Sequence, residues 1–146
     1  MSGTASRWRA AADAARLYAL VGLGSMIGGV LRALASLAAI ALLGPGFPWG
    51  TLFVNLLGSF AIGFYATLTG PDGRVFARTG QRQFVMAGIC GGFTTFSVFS
   101  LETLHLVQDS ALGLAALHLL VSLAAWLGAV VAGHLLAQRL NRLGGS

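Results

Sequence analysis

Hydrophobic positions fill four long stretches of this chain, and charged or helix-breaking residues gather in the intervals between them. The first stretch runs from Leu17 to Leu43 and ends at Gly44, Pro45 and Gly46, which cannot continue a helix. The second runs from Trp49 to Thr69, stops at Gly70 and Pro71, and is followed by a polar loop from Asp72 to Gln83. The third covers Phe84 to Val107 and the fourth Ala111 to Leu136. Each is near or above the ~20 residues a helix needs to cross the hydrocarbon core of a bilayer. The pattern predicts an all-α integral membrane protein with four transmembrane helices. Residues 17–139 form the membrane domain, 1–16 an Arg/Ala-rich lead and 140–146 a short tail. The lead reads as an amphipathic turn or two on the membrane surface. The apolar stretch after it is too long for a signal-peptide core, so the lead is expected to be retained.

The third stretch contains a contradiction. Around GICGGFTTFSVFSLE, Gly88 to Glu102, it is oily enough for an unbroken helix, yet Gly91, Gly92, Thr94 and Thr95 place poor helix formers together at its centre. A break is predicted there. In lipid a broken helix exposes backbone N–H and C=O groups, tolerable only where protein buries them or they line a polar cavity, and such breaks mark ion or substrate sites. Just beyond it, Phe96 and Phe99 share a helix face, with Ser97 and Ser100 beside them. Aromatic edges and hydroxyl hydrogens both carry positive potential, a surface suited to a small desolvated anion.

Composition confirms the class: 56% of the 146 residues are hydrophobic and 9% charged, with a mean hydropathy of +0.81, far from a soluble domain. The single cysteine, Cys90, excludes a disulfide framework within one chain and reads as a small buried hydrophobe. The net charge of +5 comes from arginines placed almost wholly in the tails and one loop. They suit anionic lipid headgroups rather than nucleic acid. Arg7, Arg9, Arg16, Arg74, Arg78, Arg82, Arg139 and Arg142 all fall on one side, and the opposite loops, Gly44 to Pro48 and Gln108 to Ser110, hold none. That bias predicts cytoplasmic termini for a chain inserted in one orientation.

Small residues four apart, Gly24 and Gly28, Ser59 and Gly63, Gly88 and Gly92, Ala129 and Gly133, predict close helix contacts. Four short spans enclose little interior, so a polar pathway needs walls from a second subunit. Among intramembrane polar residues, Arg32 is costly to bury and suits a partly wet vestibule that concentrates anions. Asn55 offers two amide donors, either to an ion or to a clamp between helices. His118 and Ser122 share a face of the fourth span and could line one track, although a membrane histidine can equally serve packing. His105 and His134 read as interfacial. Glu102 could couple protons, pair with Arg32 or face the vestibule. No Gly-x-Ser-x-Gly elbow, His-Glu-x-x-His pair or convergent acid pair points to an enzyme.

Taken together, GTLFVNLLGSFAIGF from Gly50 to Phe64, GICGGFTTFSVFSLE, the GGVLR stretch ending at Arg32 and the region of Ser122 resemble the CrcB/Fluc fluoride channel family across all four spans. The resemblance implies an antiparallel dimer with two narrow fluoride pores along its interface. Phe96 and Phe99 would meet fluoride through their ring edges and Asn55 would donate to it. Thr95, Ser97 and Ser122 would form a polar track, with His118 where the family often has tyrosine and Arg32 in the vestibule. The backbone carbonyls of Gly91 and Thr94 would hold a structural sodium ion shared by both subunits. Function follows as passive, fluoride-selective export across the plasma (inner) membrane, relieving fluoride toxicity. Because one sequence must insert both ways to form an antiparallel homodimer, the arginine bias predicts a partner with the opposite bias. The alternative function is a small four-helix proton-coupled exporter of the multidrug-resistance type. Such exporters are expected to carry an essential acid in the first span, where this chain has Arg32.

Overall fold

The computed structural model describes residues 2–142; Met1 and residues 143–146, most of the expected tail, lie outside the described residues. Among the described residues every regular element is helical. Helix α1 runs Ser2–Leu43, α2 Trp49–Leu68, α3 Thr79–Gln83, a π-helical segment Phe84–Cys90, α4 Gly91–Phe93, α5 Ser97–Gln108 and α6 Leu112–Arg142. Four helical runs are long and apolar enough to cross a membrane: Arg7–Leu43, Trp49–Leu68, Thr79–Gln108 and Leu112–Arg142. The third of these is the interrupted one.

Three boundaries differ from the sequence expectation. The lead is not a separate surface turn but the start of α1, which is continuous over 42 residues. Alanine is the best helix former, and neither glycine nor proline interrupts Thr4 to Val21. The third crossing begins at Thr79, inside the expected loop, because the Gln81 side chain turns back to accept the Arg78 N–H at 2.9 Å and so caps the new helix. Helix α6 runs past Leu136 to Arg142. Its end is tied down by Asn141, whose amide donates to the Thr67 carbonyl and accepts the Arg74 N–H. The predicted stop at Gly44 holds: its φ of +78° is the left-handed conformation that ends helices and favours glycine.

Helix α1 packs along the third crossing and α2 along α6. Both contacts rest on small residues at the spacings read from the sequence. A Cβ on Gly24 would sit 2.8 Å from the Gly88 Cα, so backbone meets backbone there. Gly63 abuts Val130 on α6, and Gly133 abuts Phe60 and Phe64 on α2. The buried core is correspondingly small and mixed: the buried residues include Val54, Phe99 and Ala137 and also the polar Thr51, Asn55, His118 and Ser122. Most leucines of α1 and α6 point outward, the surface a membrane solvates and water does not.

Candidate functional site

The crossing is interrupted at Thr94, Thr95 and Phe96. Gly91 and Gly92, expected to cause the break, are themselves helical. A Cβ on Gly92 would strike the Ser25 backbone of α1, so this glycine serves a helix contact. The break follows one residue after α4, where Thr94 turns extended at φ −84° and ψ 159°.

A side chain from α2 holds the break open. Asn55 Nδ2 donates to the Thr95 carbonyl at 2.8 Å, and the Thr95 N–H donates to Asn55 Oδ1 at 2.7 Å. In a continuous helix that N–H would close a turn on the Gly91 carbonyl. Turned to Asn55, it leaves the carbonyl end of α4 without its next turn. Of the two readings of Asn55, the interhelical clamp is the geometry found; it uses one of the two amide hydrogens. The Thr95 hydroxyl lies 3.3 Å from that of Ser97 and accepts the Val98 N–H at 3.2 Å, satisfying one donor of the first turn of α5. The two helix ends thus face the break with opposite polarity: carbonyls from α4, N–H groups from α5. A cleft of about 400 Å³ opens here, lined by Asn55, Gly58, Gly91, Thr94, Thr95 and Phe96 among others.

Beyond the break an aromatic cluster begins. Phe96 is 68% exposed and Phe99 only 4%, with ring centroids 5.5 Å apart in a tilted pair. Phe99 also meets His118 at 4.9 Å and, edge to face, Trp126 at 4.9 Å. His118 and Ser122 are fully buried on α6, and His118 Nε2 and Ser122 Oγ have no hydrogen-bond partner. Buried polar atoms are rarely left so. The tautomer of His118 follows from Thr103. The Thr103 hydroxyl is 2.8 Å from the Phe99 carbonyl and 3.1 Å from His118 Nδ1. A carbonyl only accepts, so the one hydroxyl proton goes to Phe99 and His118 Nδ1–H donates to Thr103. Nε2 is left as a bare acceptor.

Glu102 is half-buried and accepts the Thr51 hydroxyl at 2.9 Å, while its second oxygen is buried without a partner. Its partner is thus Thr51 and not Arg32. It lines a second cleft of about 340 Å³ with Ser36, Thr51, His105 and Asp109. Arg32 is half-buried in α1, four residues before Ser36 and so on the same helix face. Ser100 is exposed and donates back to the Phe96 carbonyl. His134 meets the Thr67 hydroxyl at 2.7 Å near the far end of α2.

Sequence reasoning missed Thr51, Thr103 and Trp126. Each lies four residues from one it chose, respectively Asn55, Phe99 and Ser122, so extending each choice by one helical turn finds all three.

A four-crossing membrane protein whose interrupted crossing frames a polar cleft has the anatomy of an ion channel or transporter. A family model described as "CrcB-like protein, Camphor Resistance (CrcB)" matches residues 19–134. The chain is 59% identical over 134 residues to "Fluoride-specific ion channel FluC 1" of Rhodopseudomonas palustris (strain BisB18), covering 92% of this chain and 95% of that one. It is 53% identical to "Fluoride-specific ion channel FluC" of Paramagnetospirillum magneticum, covering 86% and 98%. It is 49% identical to the protein of the same name from Opitutus terrae, covering 89% and 98%. The chain belongs to the CrcB-like family.

Proposed function

We propose that this chain is a passive fluoride-selective channel, multi-pass in the plasma (inner) membrane. The observation that carries the reading is the clamped break with its aromatic and hydroxyl lining, in a chain so similar to proteins named as fluoride-specific channels. Fluoride holds its water tightly, so a pore must replace strong hydrogen bonds without trapping the ion. The free N–H groups at the start of α5, the Ser97 and Ser122 hydroxyls and the remaining Asn55 amide hydrogen are donors suited to that exchange. The edges of Phe96 and Phe99 add weaker positive potential between them. Ser122, buried with its oxygen unpartnered, would turn its hydrogen to the ion. Thr95 acts differently, since its hydroxyl and peptide fix the shape of the break. Arg32 and Glu102 border the vestibule, where Arg32 raises local anion concentration.

Gly91 and Thr94 both line the same cleft, where their carbonyls would meet a cation that the negative end of α4 favours. That donor set fits a structural sodium ion, whose charge would strengthen the positive potential met by passing anions. Phe96 lines the cleft and is largely exposed, and a second subunit would complete the pore wall over it. We assign that subunit to an antiparallel partner. The arginine distribution favours termini in the cytoplasm and a homologue of opposite bias.

The test is fluoride against chloride efflux from liposomes holding the purified chain, alone and with a candidate partner. Fast, voltage-driven fluoride flux that needs no proton gradient is expected. Flux dependent on an imposed proton gradient would instead indicate the exporter reading, which the relatives' names do not support.

A further inference from the structure

A cavity larger than either cleft lies away from the break, where α1 meets the loop before α3. It encloses about 750 Å³. Arg16 and Arg78 line it from two elements, with Asp13 beside them. Leu17, Leu20, Phe84 and Val85 form its inner wall. Gly80 lets α3 come close enough that an added Cβ would lie 3.1 Å from Leu20. At the rim Phe76 is 90% exposed and Val75 44%.

Its position in depth explains this combination. A helix of 42 residues is roughly 60 Å long, about twice the ~30 Å hydrocarbon core. Leu17 is where the charged part of α1 gives way to the apolar part. The cavity therefore straddles the headgroup level, with guanidinium groups on the water side and leucines on the lipid side. Phe76 beside it is an apolar tip on a charged loop, as expected of an interfacial anchor.

We infer that this cavity binds one anionic phospholipid. Its phosphate is held between Arg16 and Arg78, and an acyl chain runs down along Leu17, Leu20 and Phe84. Guanidinium groups suit phosphate by geometry as well as charge. Asp13 opposes the headgroup and sets an upper limit on its net negative charge. Arg82 takes no part, since its guanidinium donates to the Thr69 carbonyl. The site stands independently of the fluoride reading.

Native mass spectrometry of the full-length chain tests it, released from vesicles of phosphatidylglycerol and phosphatidylcholine in equal amounts. One phosphatidylglycerol per chain is expected to survive. A juxtamembrane arginine is worth about fivefold in anionic lipid affinity, so Arg16→Gln with Arg78→Gln should cut retention by about 30-fold. Arg74→Gln with Arg139→Gln, which removes equal charge elsewhere, should leave it unchanged, and Asp13→Asn should raise it. Equal loss in both double variants would reduce the site to general charge attraction and overturn it. So would equal retention of phosphatidylcholine, or displacement of the lipid by inorganic phosphate alone. Formation of a Phe76→Cys disulfide dimer in the membrane would assign the cavity to a second copy and likewise overturn the proposal.

Discussion

The side-chain amide of Asn55 lies against the peptide of Thr95 as a second peptide would in a sheet, giving one hydrogen bond at 2.8 Å and receiving another at 2.7 Å. Both bonds are buried, so neither is easily replaced by water. Asn55→Asp keeps the acceptor but sets a carboxylate against the Thr95 carbonyl and in the path of an anion. It is expected to abolish fluoride efflux and to lower thermal stability in detergent. Asn55→Leu leaves both Thr95 groups unsatisfied, at a cost of about 1–3 kcal/mol each. Stability equal to wild type in both variants would show that something else shapes the break.

The two phenylalanines should separate by readout. Phe99 is 4% exposed and Phe96 68%. Phe99→Ala is expected to cost about 3–5 kcal/mol together with efflux, while Phe96→Ile should lose efflux with stability almost unchanged. Normal fluoride flux through Phe96→Ile would remove the ring edge from the mechanism.

Histidine nitrogen NMR reads the tautomer directly. His118 is expected to carry its proton on Nδ1, donated to Thr103. Thr103→Val removes that acceptor, frees the tautomer and so shifts the His118 resonances, whereas Thr103→Ser retains them. A wild-type signal with the proton on Nε2 would contradict the assignment.

Gly24 and Gly22 lie on different faces of α1, and only Gly24 touches another backbone. Gly24→Ala is expected to destabilise by about 1–3 kcal/mol through overpacking. Gly22→Ala, with nothing within 4 Å, should stabilise by up to about 1 kcal/mol from helix propensity. Thermal unfolding of the two variants side by side checks the contrast.

The four crossings were legible because hydrophobic length is the strongest signal a membrane helix writes, and the residues at the break were legible because Gly91 to Thr95 contradicts its surroundings. The cause of the break was not. Glycine read as a helix breaker is, at Gly92, a contact with Ser25, and the interruption depends on Asn55, 40 residues earlier in the chain. Local propensity carries no record of such a partner. Likewise Glu102 and Arg32 are an obvious pair by charge, but the hydroxyl of Thr51 reaches Glu102 instead. The continuous α1 was hidden because a polar lead does not resemble a membrane span, although its alanines favour the same helix.

The π-helical segment Phe84–Cys90 sets the angular phase of everything after it. A wider turn accommodates one surplus residue, and one residue is about 100° of helix rotation. Excising Ala87, whose side chain faces outward, would rewind the segment to ordinary pitch and swing Thr95 round the axis, out of register with Asn55. This crossing is therefore specified partly by counting, and a single-codon deletion about two turns before the break would disable it as completely as removing the clamp itself.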